Sequence, residues 1–125
     1  MAQILLDTDV LIAVLRGSET AARRMEESQE SGDLLGYSPI TVAELWRGMR
    51  PREEEPTRQL LRRMTCLPVD QPIGRLGGQY LQRYHRSHGI TLPDALIAAT
   101  AVLHRSSLWT LNRRHYPMPE LSLIT

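Results

Sequence analysis

Residues 94–104 read Asp-Ala-Leu-Ile-Ala-Ala-Thr-Ala-Val-Leu-His, a helix-length run that is apolar nearly all round. A helix without a polar stripe must be covered on every side, so it belongs at the centre of a fold and not on its surface. Its alanines let a sheet approach closely. A chain built around such a helix has to be layered.

The remainder of the sequence supplies the other layers. Short apolar runs at 3–6, 34–37, 66–69, 108–111 and 121–124 predict strands, the last of them at an edge. Helical segments separate them. Val10–Leu15 stops at Gly17, and Ser18-Glu19 opens a helix with Ala21, Ala22 and Met25 inside and Gly32 at its close. A short helix runs from Thr41 to near Gly48, and another has Glu53–Glu55 in its first turn and continues through Leu60, Leu61 and Met64. Asp70 and Pro72 start a longer helix that ends at His88-Gly89, and Pro93 precedes the apolar helix from Asp94. Strands alternating with helices predict a parallel sheet covered on both faces. The segment around Pro51 to Pro56 is expected to be the most flexible piece. No internal repeat or second domain is visible, and 125 residues is the size of one domain, spanning 1–125.

Composition narrows the chemistry. All fifteen basic residues are Arg, so no mechanism can use a catalytic Lys. Arg also grips phosphate through a fork where Lys acts as a point charge. Cys66 is the sole cysteine, which excludes an internal disulfide and suits a reducing cytoplasm. The N-terminus lacks the basic region of a signal peptide and meets an acid at Asp7. No apolar run reaches the roughly 20 residues of a membrane span.

Three acids stand where a strand or loop passes into a helix: Asp7 in Leu5-Leu-Asp-Thr-Asp9, Glu44 in Thr41-Val-Ala-Glu, and Asp94 in Leu92-Pro-Asp. In a parallel sheet such points gather at the carboxyl edge of the strands, where ligands bind. Each acid alone has a plainer role. Asp7, Asp9 and Asp94 suit helix N-caps, and Thr41 with Glu44 fits a capping box. Together, beside apolar strands and with no Lys to pair them, they favour a cation between them. Hard oxygen ligands suit Mg²⁺ or Mn²⁺, and one Cys with four scattered His gives no zinc spacing. With the three acids set aside, fifteen Arg against eleven remaining acids leave +4, which allows a polyanionic partner without demanding one.

The chain resembles the PIN-domain ribonucleases, specifically the VapC-type toxins of toxin–antitoxin modules. The likeness rests on four blocks in order: Leu5-Leu-Asp-Thr-Asp-Val-Leu-Ile12, Ser38-Pro-Ile-Thr-Val-Ala-Glu-Leu-Trp-Arg-Gly48, Leu92-Pro-Asp-Ala-Leu-Ile-Ala-Ala-Thr100 and Leu108-Trp-Thr-Leu-Asn-Arg-Arg-His-Tyr116. The resemblance implies a three-layer α/β/α sandwich around a four- to five-stranded, mainly parallel sheet. It implies a cytoplasmic endoribonuclease that hydrolyses RNA with Mg²⁺ or Mn²⁺. Asp7 and Asp94 are then expected as direct ligands and Glu44 as a ligand directly or through water. A small VapB-type antitoxin, a homodimer and a heterotetramer or larger complex with antitoxin are the expected assemblies. An apolar groove near Trp46 and Met49 is the expected antitoxin contact.

The final block departs from the family pattern. Asn112 stands where an Asp often occurs, and His115 where another acid can occur, which puts a second metal in doubt. Thr8 and Thr110 are read either as site hydroxyls or as ordinary turn and strand residues. Asp9 is read as a fourth site acid or as the cap of the first helix, with the cap preferred. Arg47, Arg50, Arg113 and Arg114 are candidate RNA-backbone contacts or plain surface arginines. Trp46, Trp109 and Tyr116 are candidate base-stacking residues, although Trp109 reads as core and Trp46 as helix packing. Two rival functions remain: an inactive PIN-fold interaction module, and a PIN ribonuclease of RNA processing that is not a toxin. A phosphorelay receiver is set aside, because it needs a Lys and an Asp ending a central third strand.

Overall fold

The computed structural model of the protein describes residues 1–124. Five strands form one sheet in the order β3-β2-β1-β4-β5. They are β1 (Gln3–Leu6), β2 (Leu34–Tyr37), β3 (Thr65–Cys66), β4 (Ser107–Trp109) and β5 (Leu123–Ile124), and every neighbouring pair is parallel. The helices are α1 (Thr8–Leu15), α2 (Glu19–Glu30), α3 (Pro39–Arg47), α4 (Glu54–Arg62), α5 (Gln71–His88) and α6 (Leu92–Leu103). The expected α/β/α sandwich is present.

Strand periodicity builds the layers. Along β1, Leu5 points to one core and Ile4 and Leu6 to the other. The first core joins Leu5 and Leu108 to Ile73 and Tyr80 of α5 and to Ala95, Ala98 and Ala99 of α6. The second joins Ile4, Leu6, Leu35 and Trp109 to Leu11 of α1, Met25 of α2, Leu45 of α3 and Leu60 of α4. The apolar helix α6 therefore lies in the α5–α6 layer on one face of the sheet and not at the centre of the fold: six of its residues are buried, while Leu92 and Leu103 at its two ends are exposed. Gly77 of α5 lets the two helices approach: a Cβ there would sit 2.9 Å from Leu96 Cδ2 and 3.6 Å from the Ala95 backbone.

The chain crosses from β1 to β2 to β3 on one side, then returns through α5 and α6 to place β4 on the other flank of β1. The connections thus reverse direction at the β1/β4 boundary. Ligands bind outside the carboxyl ends of strands at such a boundary. Residues 7 and 110 follow β1 and β4, so they stand on either side of that crevice.

Several boundaries differ from the sequence reading. Helix α3 starts at Pro39, capped by Ser38 Oγ accepting from Ile40 N, so Thr41 lies inside the helix and is not its cap. Pro39 explains the shift, because its fixed φ and missing N–H suit the first helical position. Helix α6 likewise starts at Leu92 behind Thr91. Strand β3 is only two residues long, and β4 ends at Trp109, leaving Leu111 58% exposed. Residues 51–53 are a 3₁₀ turn that runs straight into α4, with Glu53 Oε1 accepting from Arg50 N at 2.9 Å. A capped turn and a helix start thus stand where the sequence suggested a loop.

Candidate active site at the carboxyl edge of the sheet

Asp7 follows the fully buried end of β1 and is itself 7% exposed. Its backbone N–H donates to Trp109 O at 2.9 Å, which ties the ends of β1 and β4 together. Its carboxylate is held from three directions. Oδ1 accepts from Thr8 N at 2.8 Å, while Oδ2 accepts from Thr110 Oγ1 and Tyr116 Oη, each at 2.8 Å. Asp7 is also the N-cap of α1, so the capping and site roles coincide in one residue. Burial, first of all, pushes its pKa up; the hydroxyl and amide donors pull it back, and the charge of Asp94 pushes it further up.

Asp9 is not the cap that the sequence reading preferred; it lies in the first turn of α1. Asp9 Oδ2 accepts from Leu111 N at 3.2 Å. Asp9 Oδ1 is buried without a hydrogen-bond partner among the described residues. Burial and then the neighbouring Asp7 raise its pKa to about 6. An acidic oxygen left so exposed to cost is what a cation would satisfy.

Glu44 joins through a hydroxyl. Thr8 Oγ1 donates to Glu44 Oε1 at 2.7 Å and lies 2.9 Å from Thr41 Oγ1. Because a hydroxyl has one proton, Thr41 must donate to Thr8. Thr8 and Thr41 are buried, and both are structural partners of the site.

Asp94 approaches from α6. It is the third residue of that helix and completes a capping box with Thr91: Thr91 N donates to Asp94 Oδ2 at 3.2 Å, and Asp94 N donates to Thr91 Oγ1 at 3.4 Å. His115 Nδ1 lies 3.3 Å from Asp94 Oδ2 and 3.0 Å from Asn112 Nδ2. Asn112 N donates to Thr110 Oγ1 at 3.0 Å, which closes the chain of contacts back to Asp7. One network thus runs from Glu44 through Thr8, Asp7 and Thr110 to Asn112, His115 and Asp94.

The candidate arginines lie at the surface. Arg47, Arg50, Arg113 and Arg114 are all exposed. Arg113 and Arg114 line a surface cleft of about 410 Å³ with Ser87, His88 and Pro117. Trp109 is core, with the Arg24 guanidinium 5.0 Å from its ring centre, and Trp46 packs under Arg58 at 5.6 Å. Tyr116 does not stack bases. It is 3% exposed and its hydroxyl points at Asp7, with burial and the Asp7 and Asp94 charges holding the phenol neutral as a donor. Sequence reasoning missed this role. The only signal was an aromatic six residues beyond Thr110, and nothing local says that it turns inward.

Whether the residues suit a divalent metal is a question of donors. Among the described residues no three His, Cys, Asp or Glu side chains converge closely enough to chelate an ion by themselves. The donor chemistry nevertheless fits. Asp7 Oδ1 carries a single hydrogen bond, Asp9 Oδ1 carries none, and Mg²⁺ or Mn²⁺ ordinarily keeps several waters around one or two carboxylates.

The PIN domain family matches residues 4–121 of the chain. Ribonuclease VapC10 of Mycobacterium tuberculosis is 42% identical over 118 residues, which is 94% of this chain and 88% of that one. Ribonuclease VapC19 of the same species is 36% identical over 119 residues, 94% and 95% of the two chains. Among solved structures, a toxin–antitoxin complex from Klebsiella pneumoniae superposes with a TM-score of 0.77 at 28% identity, covering 98% of this chain and 96% of that one. VapBC2 from Rickettsia felis, bound to a DNA fragment from its promoter, superposes with a TM-score of 0.84 at 20% identity over 98% and 97%, a likeness of fold. With residues 4–121 inside the family and over a third of its sequence shared with VapC ribonucleases, the chain belongs to the PIN-domain family as a VapC-type member.

Proposed function

We propose that the protein is the toxin of a type II toxin–antitoxin pair and acts as a divalent-metal-dependent endoribonuclease on RNA. The observation that carries this reading is the acid network itself, set at the β1/β4 crevice with an unpartnered oxygen on Asp9. The names of its VapC relatives support the same substrate class.

Asp7 and Asp94 would hold Mg²⁺ or Mn²⁺, with Glu44 contributing directly or through water. When bound, the metal supplies Lewis-acid charge and makes water acidic enough to react near neutral pH. The protein's own groups do the rest. Thr110 and Tyr116 occupy Asp7 Oδ2, so Oδ1 is the oxygen kept for binding. Thr8 fixes Glu44 through Oε1, which leaves Oε2 to take a proton from the attacking water. Water adds to phosphorus, the bond to the 3′ oxygen breaks, and that oxygen leaves with a proton. The products are a 3′-hydroxyl and a 5′-phosphate, and the 2′-hydroxyl takes no part. Arg47, Arg50, Arg113 and Arg114 offer forked contacts to the phosphate backbone.

The partner would be a small VapB-type antitoxin. A cleft of about 170 Å³ beside α1 and α3 is lined by Ile12, Leu15, Leu45 and Met49, with Glu44 at its rim. It suits an apolar segment carrying an Arg towards the acids. Trp46 faces a separate cleft with Tyr37 and Arg58, so only the Met49 half of the expected groove belongs to this one.

The deciding experiment is cleavage of end-labelled single-stranded RNA by antitoxin-free protein, with Mn²⁺, Mg²⁺ or chelator, beside Asp7→Asn. Metal-dependent cleavage lost in the variant supports the reading. Equal cleavage by the variant refutes the site. Asn112 and His115 favour one rival, an inactive interaction module, and such a module would gain no stability from Mn²⁺. A true site at a hundredfold excess over its Kd gains about 2.7 kcal/mol.

A further inference from the structure

The acid network has a cleft at each end, and the two differ in charge. The cleft beside α1 and α3 is mainly apolar, and its charged residues are Arg16, Glu44 and Glu53. The other cleft, of about 410 Å³, lies between the last turn of α5 and the Arg113–His115 turn. Ser87, His88, Arg113, Arg114 and Pro117 line it, and none of them is acidic. A polyanion leaving the acids is repelled along the first exit and attracted along the second.

The Arg113–His115 turn is a wall shared by the acid crevice and this second cleft. His115 Nδ1 lies 3.3 Å from Asp94 Oδ2 and Tyr116 Oη lies 2.8 Å from Asp7 Oδ2, while the adjoining Arg113 and Arg114 line the cleft. A guanidinium fork matches the two free oxygens of a phosphodiester. The α5 wall adds a further donor. Ser87 Oγ and His88 Nδ1 are 2.7 Å apart. If Nδ1 accepts, the ring proton sits on Nε2 and is left to donate; if Nδ1 donates, the Ser87 hydroxyl proton is left instead. The carbonyls at the end of α5 disfavour an anion, and His85, Arg86 and His88 in its last turn offset them. The volume falls within the range of small-ligand sites and has room for one nucleotide unit.

We propose that this cleft holds the RNA phosphate next to the one that is cut, so that the strand runs from the acids towards α5 and not towards α3. The inference rests on the ribonuclease reading given above and adds the path of its substrate. Of the four candidate arginines, it assigns this contact to Arg113 and Arg114.

The test is binding of a fluorescein-labelled single-stranded RNA to the full chain in chelator, followed by anisotropy over a series of salt concentrations. Wild type is compared with Arg113→Gln, Arg114→Gln, the double variant and Arg23→Gln. The last removes the same charge as either single variant, from an exposed position on α2, which packs on the opposite face of the sheet. Each phosphate contact on a single strand contributes about 0.7 to the slope of log K against log salt. The double variant should therefore show a slope shallower by about 1.4 and an affinity about 25-fold lower at about 0.1 M salt. Arg23→Gln should stay close to wild type. One uncharged methylphosphonate beside the scissile position should weaken wild type severalfold and leave the double variant unmoved. Arg114→Lys should restore the slope lost in Arg114→Gln, which a collapsed turn would not do. A double variant with wild-type slope and affinity would overturn the inference, and a loss of antitoxin affinity in its place would assign the cleft to an acidic protein segment. An equal loss in Arg23→Gln would also overturn it, because the attraction would then be general. Arginine-dependent binding by a wild type that cleaves nothing in Mn²⁺ or Mg²⁺ would overturn the ribonuclease reading and leave the cleft an RNA-phosphate site.

Discussion

The two ends of the acid network are built differently. At the β1 end, Asp7 is 7% exposed and its carboxylate accepts three short hydrogen bonds, two from hydroxyls brought in by residues 110 and 116. At the α6 end, the Asp94 side chain is 19% exposed and is held by its own helix cap and one imidazole. A buried carboxylate with fixed donors is pre-organised and pays for that in desolvation. A partly exposed one is freer to turn. In the metal site proposed above, the rigid end would set where an ion sits and the adaptable end would turn to meet it.

The largest effect should come from neutralising the rigid end. Asp7→Asn keeps an acceptor for Thr110 and Tyr116 but removes the charge. Losing several kcal/mol of charge stabilisation corresponds to a fall in kcat/KM of roughly a thousandfold or more. Stability in chelator should not fall, because a buried charge has been removed. Cleavage rates and urea midpoints measured on one preparation check both halves. A loss of activity that tracks a loss of fold would show that Asp7 is merely a cap.

Tyr116→Phe probes the donors around that charge. The hydroxyl bond to Asp7 should be worth about 1.5–3 kcal/mol, as for other hydrogen bonds to a charged partner. Urea denaturation at pH 7 should show that loss, and cleavage should fall about tenfold as Asp7 loosens. Unchanged stability would mean that Thr110 alone holds Oδ2.

These contrasts show what a sequence can reveal. The sheet was legible because Ile4, Leu5 and Leu6 form an unbroken apolar run, as a strand covered on both faces must. Asp7 and Asp94 were legible because the first follows a strand and the second stands in the first turn of a helix. Glu44 reads as standing at a helix start, but α3 begins at Pro39 and Glu44 is its sixth residue. Two cap assignments were not legible. Asp9 and Asp7 both flank the start of α1, and only the packing of Leu6 and the pairing of Asp7 N with Trp109 O decide which one caps. Pro39 could have given Ser38 as the cap of α3, since Ser-Pro is a common helix opening. Tyr116 reads in the sequence as a candidate base-stacking residue and His115 only as standing where another acid can occur; their contacts with Asp7 and Asp94 were not legible. Their directions come from a 3₁₀ turn at Arg113–His115, whose geometry depends on contacts more than a hundred residues away in sequence.

Asp9 carries a smaller and pH-dependent effect. Its folded pKa of about 6 stands above the ordinary value of 3.8, so the folded protein holds the proton more tightly than the unfolded chain. Its contribution to stability is therefore fullest below pH 3.8, declines as pH climbs through that window, and is gone above about 6. Asp9→Asn cannot lose a proton and escapes this decline. With screening at a partly exposed site, the variant should be about 1 kcal/mol more stable than wild type at pH 7 in chelator. The gap should close near pH 4. Mn²⁺ should reverse the order at pH 7, because the ion stabilises the charged form. A gap that does not depend on pH would mean that the burial cost of Asp9 is not electrostatic.

The smallest effect belongs to the adaptable end, and its smallness is the test. His115 and Asp94 meet at 3.3 Å with the imidazole 37% exposed, and exposed pairs of this kind contribute about 0–1 kcal/mol. Asp94 also keeps its capping box with Thr91 when the ring is removed. His115→Ala should therefore shift the urea midpoint in chelator by less than about 0.5 kcal/mol, well below the shift for Tyr116→Phe. The two residues lie one position apart in the sequence, so a shared effect of the 3₁₀ turn would move both alike. If His115→Ala costs as much as Tyr116→Phe, the α6 end is as rigid as the β1 end, and an ion would have to enter a site already closed around it.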